Sequence, residues 1–271
     1  MWLRCAILSL LIVSIAGCAA PPQPPKFENP SFRVTPEQAS QAIEQMRADP
    51  KVLPRPLIVV GGFMDPNITT PWFAHFFAGV TRETTIITVP LGTCTSFDEC
   101  RDTIIAAVDK VRPSDDPIWT SEVDVIGLSL GGLASRYAAA PPRDASHPRR
   151  LKIARLFTIS SPHTGAKLAQ RISLIDFHRD MIPGSPFLTY VAAHDDEANY
   201  TLYPYTHLND DIVGAQYAAP PGVTPWWLRG PPTFSPHLAA MLDDRILADI
   251  ARRLRGEEPF TRSPAAPLPA N

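Results

Sequence analysis

The chain has 271 residues, of which 45% are hydrophobic and 19% charged, a balance typical of a globular protein rather than a disordered one. Its 25 lysines and arginines are offset by 27 aspartates and glutamates, so there is no basic excess to neutralise phosphates, and we predict no nucleic-acid partner. Prolines number 31 and glycines 14. Because proline fits poorly into helices and central strands, we expect it to concentrate in linkers and loops.

Residues 1–17 have the pattern of a targeting segment: Arg4 precedes an apolar run, residues 6–16, that is too short to span a bilayer. The run ends in IAGC, which resembles the lipobox of bacterial lipoproteins. The resemblance implies that Cys18 becomes the first residue of the mature chain and carries fatty acyl chains such as palmitate. An ordinary secretory signal, cleaved one or two residues later, is the alternative.

The segment that follows, residues 18–33, is rich in proline and predicts a semi-extended tether. The residue after Cys18 is alanine rather than aspartate. By the sorting rule of enteric lipoproteins, this implies the outer membrane, facing the periplasm. We therefore predict a lipid-anchored protein of the bacterial cell envelope, with the membrane as its partner.

Strand and helix patterns alternate from about residue 56 to residue 170. Apolar runs predict buried parallel strands, and helical spacing predicts the helices between and after them. The predicted strands are Leu57–Val60, Thr85–Val89, Val123–Ile126 and Ile153–Ile159, and the predicted helices are Trp72–Val80, Phe97–Val111, Leu133–Ala140 and Pro236–Arg255. The alternation predicts βαβ units, and hence an α/β fold with a mostly parallel central sheet flanked by helices.

These patterns also predict how the chain is divided. Residues 34–255 are predicted to form one domain, in which residues 166–199 show no clear strand and are predicted to form a small cap or lid. Residues 256–271 are rich in proline and predict a disordered tail.

The most informative segment is VDVIGLSLGG at residues 123–132, a G-x-S-x-G motif placed after a predicted strand and before a predicted helix. A serine at the apex of so tight a turn needs neighbours without side chains, which accounts for Gly127 and Gly131. The turn exposes the Ser129 hydroxyl, and the helix N-terminus directs N–H groups toward a developing oxyanion. A tight βα turn with a helix-capping serine is the alternative.

This segment resembles the nucleophile elbow of α/β-hydrolases, and of bacterial lipases and esterases in particular. LIVVGGF at residues 57–63 resembles the family's first core strand and oxyanion loop, with Gly61 in place of the usual histidine. TISSPHTG at 158–165 and MIPGSPFL at 181–188 resemble further lipase segments. The resemblance implies an α/β-hydrolase fold with Ser129 as nucleophile, and an oxyanion hole formed by the N–H groups of Phe63 and Leu130.

A nucleophile of this kind needs a base and an acid, which follow it in the order acid, histidine. Of the six histidines after Ser129, His237 lies just ahead of the final amphipathic helix, where the family carries its base. Residues 200–208 predict a late strand, and the family's pattern after it selects Asp210 as the acid, with Asp211 as the alternative.

The resemblance implies a serine hydrolase that cleaves carboxylic esters, including lipid esters, through an acyl-enzyme and without a metal or organic cofactor. Two alternatives remain open at this point. The same triad supports acyl transfer or thioester hydrolysis, and an envelope lipoprotein retaining the hydrolase fold would have no catalytic role.

Three further features lie outside the motif. Cys94 and Cys100 predict a disulfide if the chain reaches an oxidising compartment, with two free thiols as the alternative. Trp226 and Trp227 stand in a proline-rich loop, residues 218–234, where they line an acyl pocket, touch a membrane or plug the core. The sequence HDDE at 194–197 favours a solvated polar loop over a cation site.

Overall fold

The structure of the protein is a computed structural model that describes residues 27–270 apart from 64, 66, 83, 144–147, 172–175, 198 and 233–234. The predicted targeting segment, the lipidation site Cys18 and most of the predicted tether therefore lie outside the described residues. Among the helices that are described, none has the length and apolar character of a membrane span.

Six strands form one sheet in the order β2-β1-β3-β4-β5-β6, and every neighbouring pair is parallel. They are β1 (Leu57–Val60), β2 (Ile86–Val89), β3 (Val123–Leu128), β4 (Ile153–Ile159), β5 (Thr201–His207) and β6 (Trp226–Leu228). The first five were predicted from apolar runs or alternation, and the structure confirms them with small shifts at their ends. Strand β6 falls in the segment predicted to be a loop.

The described helices are α1 (Pro36–Ala48), α2 (Thr69–Val80), α3 (Phe97–Val111), α4 (Leu130–Ala139), α5 (Asp176–Asp180), α6 (Pro186–Ala193), α7 (Pro236–Met241) and α8 (Asp244–Leu254). Helix α1 was not predicted, although Thr35 and Gln38 form a capping box at its start. The single closing helix predicted over residues 236–255 is wrong. Its pattern is broken because the Asp243 side chain accepts the N–H of Arg245 and starts a new helix there.

The sheet is buried on both faces, which explains why its central strands read as continuous apolar runs. Along β1, Ile58 and Val60 face a core formed with α3, α4 and α6. The alternate residues Leu57 and Val59 face a second core, formed with α1, α2 and α8. The predicted flanking of the sheet by helices is therefore confirmed.

The predicted small cap is also present, between β4 and β5. It contains α5 and α6, and Phe187 of α6 stacks on Phe97 of α3 with ring centroids 4.1 Å apart. Tyr137 of α4 meets the same Phe187 ring edge-on at 5.0 Å. Aromatic packing therefore fixes the cap onto the helices beside the sheet.

The tail is packed against the domain rather than disordered, so the prediction for residues 256–271 is wrong for the part that is described. The Asp249 carboxylate accepts the N–H groups of Phe260 and Thr261 at 2.6 and 2.9 Å. The Trp227 indole N–H donates to the Ala266 carbonyl at 2.9 Å. Proline-rich backbone leaves its carbonyls free to accept such bonds, so composition alone did not decide between order and disorder.

The end of the predicted tether is likewise folded. Asn29 and Phe32 are buried, Phe32 forms an isolated bridge with Thr261, and Ser31 accepts an N–H from Ala266 at 2.8 Å. The folded domain therefore extends on both sides of the predicted limits at 34 and 255. Residues 28–33 and the tail lie together against the sheet edge formed by β6.

Two side-chain predictions are settled by burial. Trp226 and Trp227 are each 6% exposed and belong to β6, so they plug the edge of the core and neither line an acyl pocket nor face a membrane. The predicted disulfide is not formed, because Cys94 and Cys100 are both buried free thiols. Burial raises the pKa of the Cys100 thiol, which keeps it protonated and unreactive.

Candidate active site

Ser129 lies at the apex of the turn between β3 and α4. Its backbone has φ 50° and ψ −123°, a strained conformation that exposes the side chain at the carboxyl edge of the sheet. The turn needs glycines because other backbone approaches it closely. A Cβ on Gly127 would lie 2.4 Å from the Cα of Gly132, and one on Gly131 would lie 2.4 Å from the carbonyl oxygen of Val60. This geometry favours the elbow over an ordinary capping serine.

The structure brings His237 and Asp210 to this serine. The Nε2 atom of His237 lies 3.0 Å from Ser129 Oγ. On the other side of the ring, Nδ1 lies 2.9 and 3.1 Å from the two carboxylate oxygens of Asp210. The His237 Nδ1–H therefore donates to the carboxylate, which leaves Nε2 free to accept the serine proton.

The Asp210 carboxylate is held in its charged form. Burial disfavours the charge, but the hydrogen bond and charge of His237, with the N–H of Val213, outweigh it and lower the pKa of Asp210. Asp210 Oδ1 also accepts the N–H of Ile212 at 3.0 Å. Asp211, the alternative acid, has an exposed side chain. The geometry therefore places Asp210, and not Asp211, against His237.

The predicted oxyanion donors, Phe63 and Leu130, border the same cavity as Ser129. Leu130 is the first residue of α4, so its N–H has no acceptor within the helix. Phe63 follows β1, and its ring meets the rings of Phe177 and His178 edge-on at 5.8 and 5.6 Å. The two backbone segments therefore flank the serine.

The loop that carries Phe63 is supported by Asp65, which sequence reasoning missed. Asp65 is buried, and its Oδ1 accepts the N–H groups of Ile68 and Thr69 at the start of α2, at 3.4 and 3.2 Å. A Cβ on Gly61 would lie 2.4 Å from Asp65 Oδ2. A side chain at position 61, such as the histidine of the lipase pattern, would therefore collide with this carboxylate. An aspartate just ahead of a helix start was the available signal.

A second buried network lies behind the elbow, around Arg136 of α4. Arg136 Nη1 donates to His163 Nδ1 at 3.1 Å, and His163 Nε2 lies 2.9 Å from Thr158 Oγ1. Burial, and then the Arg136 charge, hold the pKa of His163 well below its usual value, so the ring stays neutral. The Arg136 guanidinium also pairs with Asp195 in the cap. This network ties the elbow helix to the cap.

Sequence reasoning also missed the Arg136 network. Its signal was a lone charged residue in an otherwise small and apolar helix, since a buried arginine needs a partner. The polar segment at 194–197, predicted to be a solvated loop, instead supplies that partner through Asp195. No group of metal-ligating side chains is found among the described residues.

The other histidines that follow Ser129 have different surroundings. His207 pairs with Asp243 at 2.8 Å, His194 Nδ1 lies 2.8 Å from the Tyr190 carbonyl, and His178 borders the cavity. His147 lies outside the described residues.

No family model matches the sequence, and no curated protein sequence is similar to it. Among solved structures, the fold is similar to that of lipase BlEst2 from Bacillus licheniformis, at 15% identity in both its propeptide and mature forms. The propeptide form gives a TM-score of 0.54 over 81% of this chain and 55% of its own. The mature form gives 0.52 over 76% of this chain and 94% of its own.

The chain therefore spans about half of the propeptide form and most of the mature one. At this level of identity the likeness shows the fold and nothing finer. The protein has an α/β-hydrolase fold, as its sequence predicted, with a parallel six-stranded sheet and a small cap.

Proposed function

We propose that the protein is a serine hydrolase that cleaves carboxylic esters. The observation that carries the proposal is the unbroken chain of contacts from Ser129 Oγ to His237 and on to Asp210, at 3.0 and 2.9 Å. Ser129 lies on the strained turn between β3 and α4, Asp210 lies in the loop after β5, and His237 lies in the first turn of α7. Such a set of donors and acceptors activates a hydroxyl for attack on a carbonyl.

The reaction follows from the geometry. His237 Nε2 takes the proton of Ser129 as Oγ attacks the ester carbonyl, and Asp210 stabilises the imidazolium that forms. The N–H groups of Phe63 and Leu130 donate to the tetrahedral oxyanion, each worth about 3 kcal/mol of transition-state stabilisation. His237 then protonates the departing alcohol, which leaves an acyl group on Ser129. Water, deprotonated by the same imidazole, releases the acid and restores the serine.

A fluorophosphonate probe tests the nucleophile directly, because it phosphonylates only an activated serine. We expect one label per wild-type chain and none on Ser129→Ala. Ser40→Ala, which changes an exposed serine on α1, is the matched control and should label like wild type. Hydrolysis of p-nitrophenyl butyrate should fall by about 10⁴-fold or more in Ser129→Ala. Equal labelling of wild type and Ser129→Ala would contradict the assignment of Ser129 as the nucleophile.

We also propose that the chain is anchored through a lipid on Cys18, on the outer membrane facing the periplasm. The path of the chain supports this. The Glu28 carboxylate accepts the N–H of Arg229 at 3.0 Å, just after β6 ends, at the carboxyl edge of the sheet that also carries Ser129. A proline-rich tether of about ten residues spans roughly 30 Å, so an anchored domain would hold this edge near the bilayer.

The proposed lipid anchor can be tested in cells that express the protein. Wild type should incorporate labelled palmitate and sediment with outer membranes, and Cys18→Ala should do neither. Cys94→Ala, at a buried thiol of the folded domain, is the control and should behave like wild type. Palmitate incorporation that persists in Cys18→Ala would overturn the assignment, as would unlabelled wild type.

A further inference from the structure

A small cavity lies directly beside Ser129. Its volume is about 80 Å³, and it is bordered by Phe63, Leu130, Ala166, Leu168, Met181 and Val213. Apart from Ser129 and the imidazole of His178, the described side chains that line it are apolar. The cavity therefore adjoins both the nucleophile and the oxyanion donors, which is where the acyl part of an ester must sit.

The wall of this cavity is fixed by backbone hydrogen bonds. The N–H of Ala166 donates to the Met181 carbonyl at 2.9 Å, and the N–H of Leu168 donates to the Ile212 carbonyl at 2.9 Å. Ile212 in turn donates its N–H to Asp210. The wall and the loop of the acid are thus one hydrogen-bonded unit. Enlarging the cavity by moving this backbone would break those bonds and disturb Asp210.

The volume sets the size of the acyl group. A protein cavity of about 150 Å³ holds benzene, with six carbons, so a cavity about half as large holds roughly three or four. A longer chain has to displace a side chain of the wall. Met181 is the longest flexible side chain there and is itself buried, at 8% exposure. None of the described lining residues offers an ammonium or guanidinium to an anionic acyl group, whose burial would be costly.

We infer that this cavity is an acyl site for short, uncharged acyl groups of about two to four carbons, and that Met181 sets the upper limit. The inference rests on the proposed function, because it assigns the substrate class of the same serine. It narrows the substrates from esters in general to those of short carboxylic acids. Met181 acts here as a specificity-determining residue and takes no part in the proton transfers.

A series of p-nitrophenyl esters tests the inference. For wild type, we expect kcat/KM to be highest between acetate and butyrate and to fall by about 100-fold at octanoate, because the extra methylenes find no room. In Met181→Ala, the optimum should shift to hexanoate or octanoate. Ala169→Val narrows the same cavity, so it should lower kcat/KM more for the butyrate ester than for the acetate ester.

Leu242→Ala is the control, because it shortens an exposed apolar side chain outside the cavity lining and should leave the profile unchanged. Thermal unfolding would show whether Met181→Ala folds, and the wild-type profile and Ala169→Val test the inference if it does not. An optimum at octanoate or longer in wild type would overturn the inference while leaving the serine hydrolase intact. Absence of any Ser129-dependent hydrolysis would instead overturn the proposed function.

Discussion

The described part of the chain contains two buried histidine–aspartate pairs that are alike in distance and different in setting. His237 meets Asp210 at 2.9 Å, and His207 meets Asp243 at 2.8 Å. His207 lies at the end of β5, and Asp210 lies in the loop that follows it. Their partners come later in the chain, His237 in α7 and Asp243 at the start of α8. The pairs differ in the ring nitrogen used, since His237 donates through Nδ1 and His207 through Nε2.

The second nitrogen decides what each pair can do. In His237 it faces Ser129 Oγ, a group that carries a proton to be taken. In His207 it is buried without a hydrogen-bond partner and lies against Gly230. The Asp243 carboxylate is moreover shared with Arg245. A short histidine–carboxylate contact is therefore common to the proposed acid–base site and to a structural clamp, and only the third partner distinguishes them.

The same substitution in both histidines gives the largest expected difference. His237→Gln should lower kcat/KM for p-nitrophenyl butyrate by about 10⁴-fold, because no base remains to accept the Ser129 proton. His207→Gln keeps an amide to donate to Asp243 and should change activity by less than about 3-fold while lowering the melting temperature. Comparable losses of activity in both variants, at a temperature where both are folded, would contradict the distinction.

The residues around Ser129 were predictable because their signal is local. The elbow is one contiguous motif, and the order of acid and histidine along the chain then left few residues to choose from. The networks that join distant residues were not predictable in this way. Arg136 and Asp195 are 59 positions apart, and His207 and Asp243 are 36 apart, so no spacing pattern connects them.

The elements of the fold also differ in whether the local sequence predicts them. Strands β1 to β4 were predicted because each is rich in apolar residues, and in β1 burial on both faces makes the run continuous. Strand β6 has three residues in a proline-rich stretch, and it is held by bonds from Trp227 to Ala266 in the tail. Its order depends on contacts across the chain, as does that of the tail. Composition therefore predicted a loop and a disordered tail where tertiary contacts produce an edge strand and its cover.

The next largest expected effect is on stability, and it follows from replacing Gly230. A Cβ there would lie 2.3 Å from Nδ1 of His207, so Gly230→Ala must push the ring away from Asp243, and we expect a loss of about 2 to 3 kcal/mol in unfolding free energy. Gly79→Ala is the matched control in α2, where the nearest atom would be 3.7 Å away. The free energy of unfolding of Gly79→Ala should exceed that of wild type by about 0.5 to 1 kcal/mol. Urea unfolding measures both, and equal stability of the two variants would contradict the clamp.

Asp243→Asn tests the charge in the second pair. Burial opposes the charge, but His207 and Arg245 outweigh it and lower the pKa of Asp243 to about 2. In the unfolded chain an aspartate carboxyl titrates near 3.9. The ionised Asp243 therefore contributes about 2 kcal/mol to the free energy of unfolding above pH 4, and this contribution is lost between pH 4 and 2. Asparagine caps α8 equally well. The variant should be less stable by about that amount at pH 7, and this difference from wild type should vanish by pH 2.

The smallest effect concerns the neighbour of the acid. Asp211 has an exposed side chain, whereas Asp210 holds His237 through two contacts. Asp210→Asn should lower kcat/KM by about 10⁴-fold, because it disturbs the tautomer of His237. Asp211→Asn should change kcat/KM less than 2-fold and stability by less than about 0.5 kcal/mol, as is usual for an exposed site. The reverse order of effects would transfer the role of the acid to Asp211, and the contact between His237 and Asp210 would then be structural, like that between His207 and Asp243.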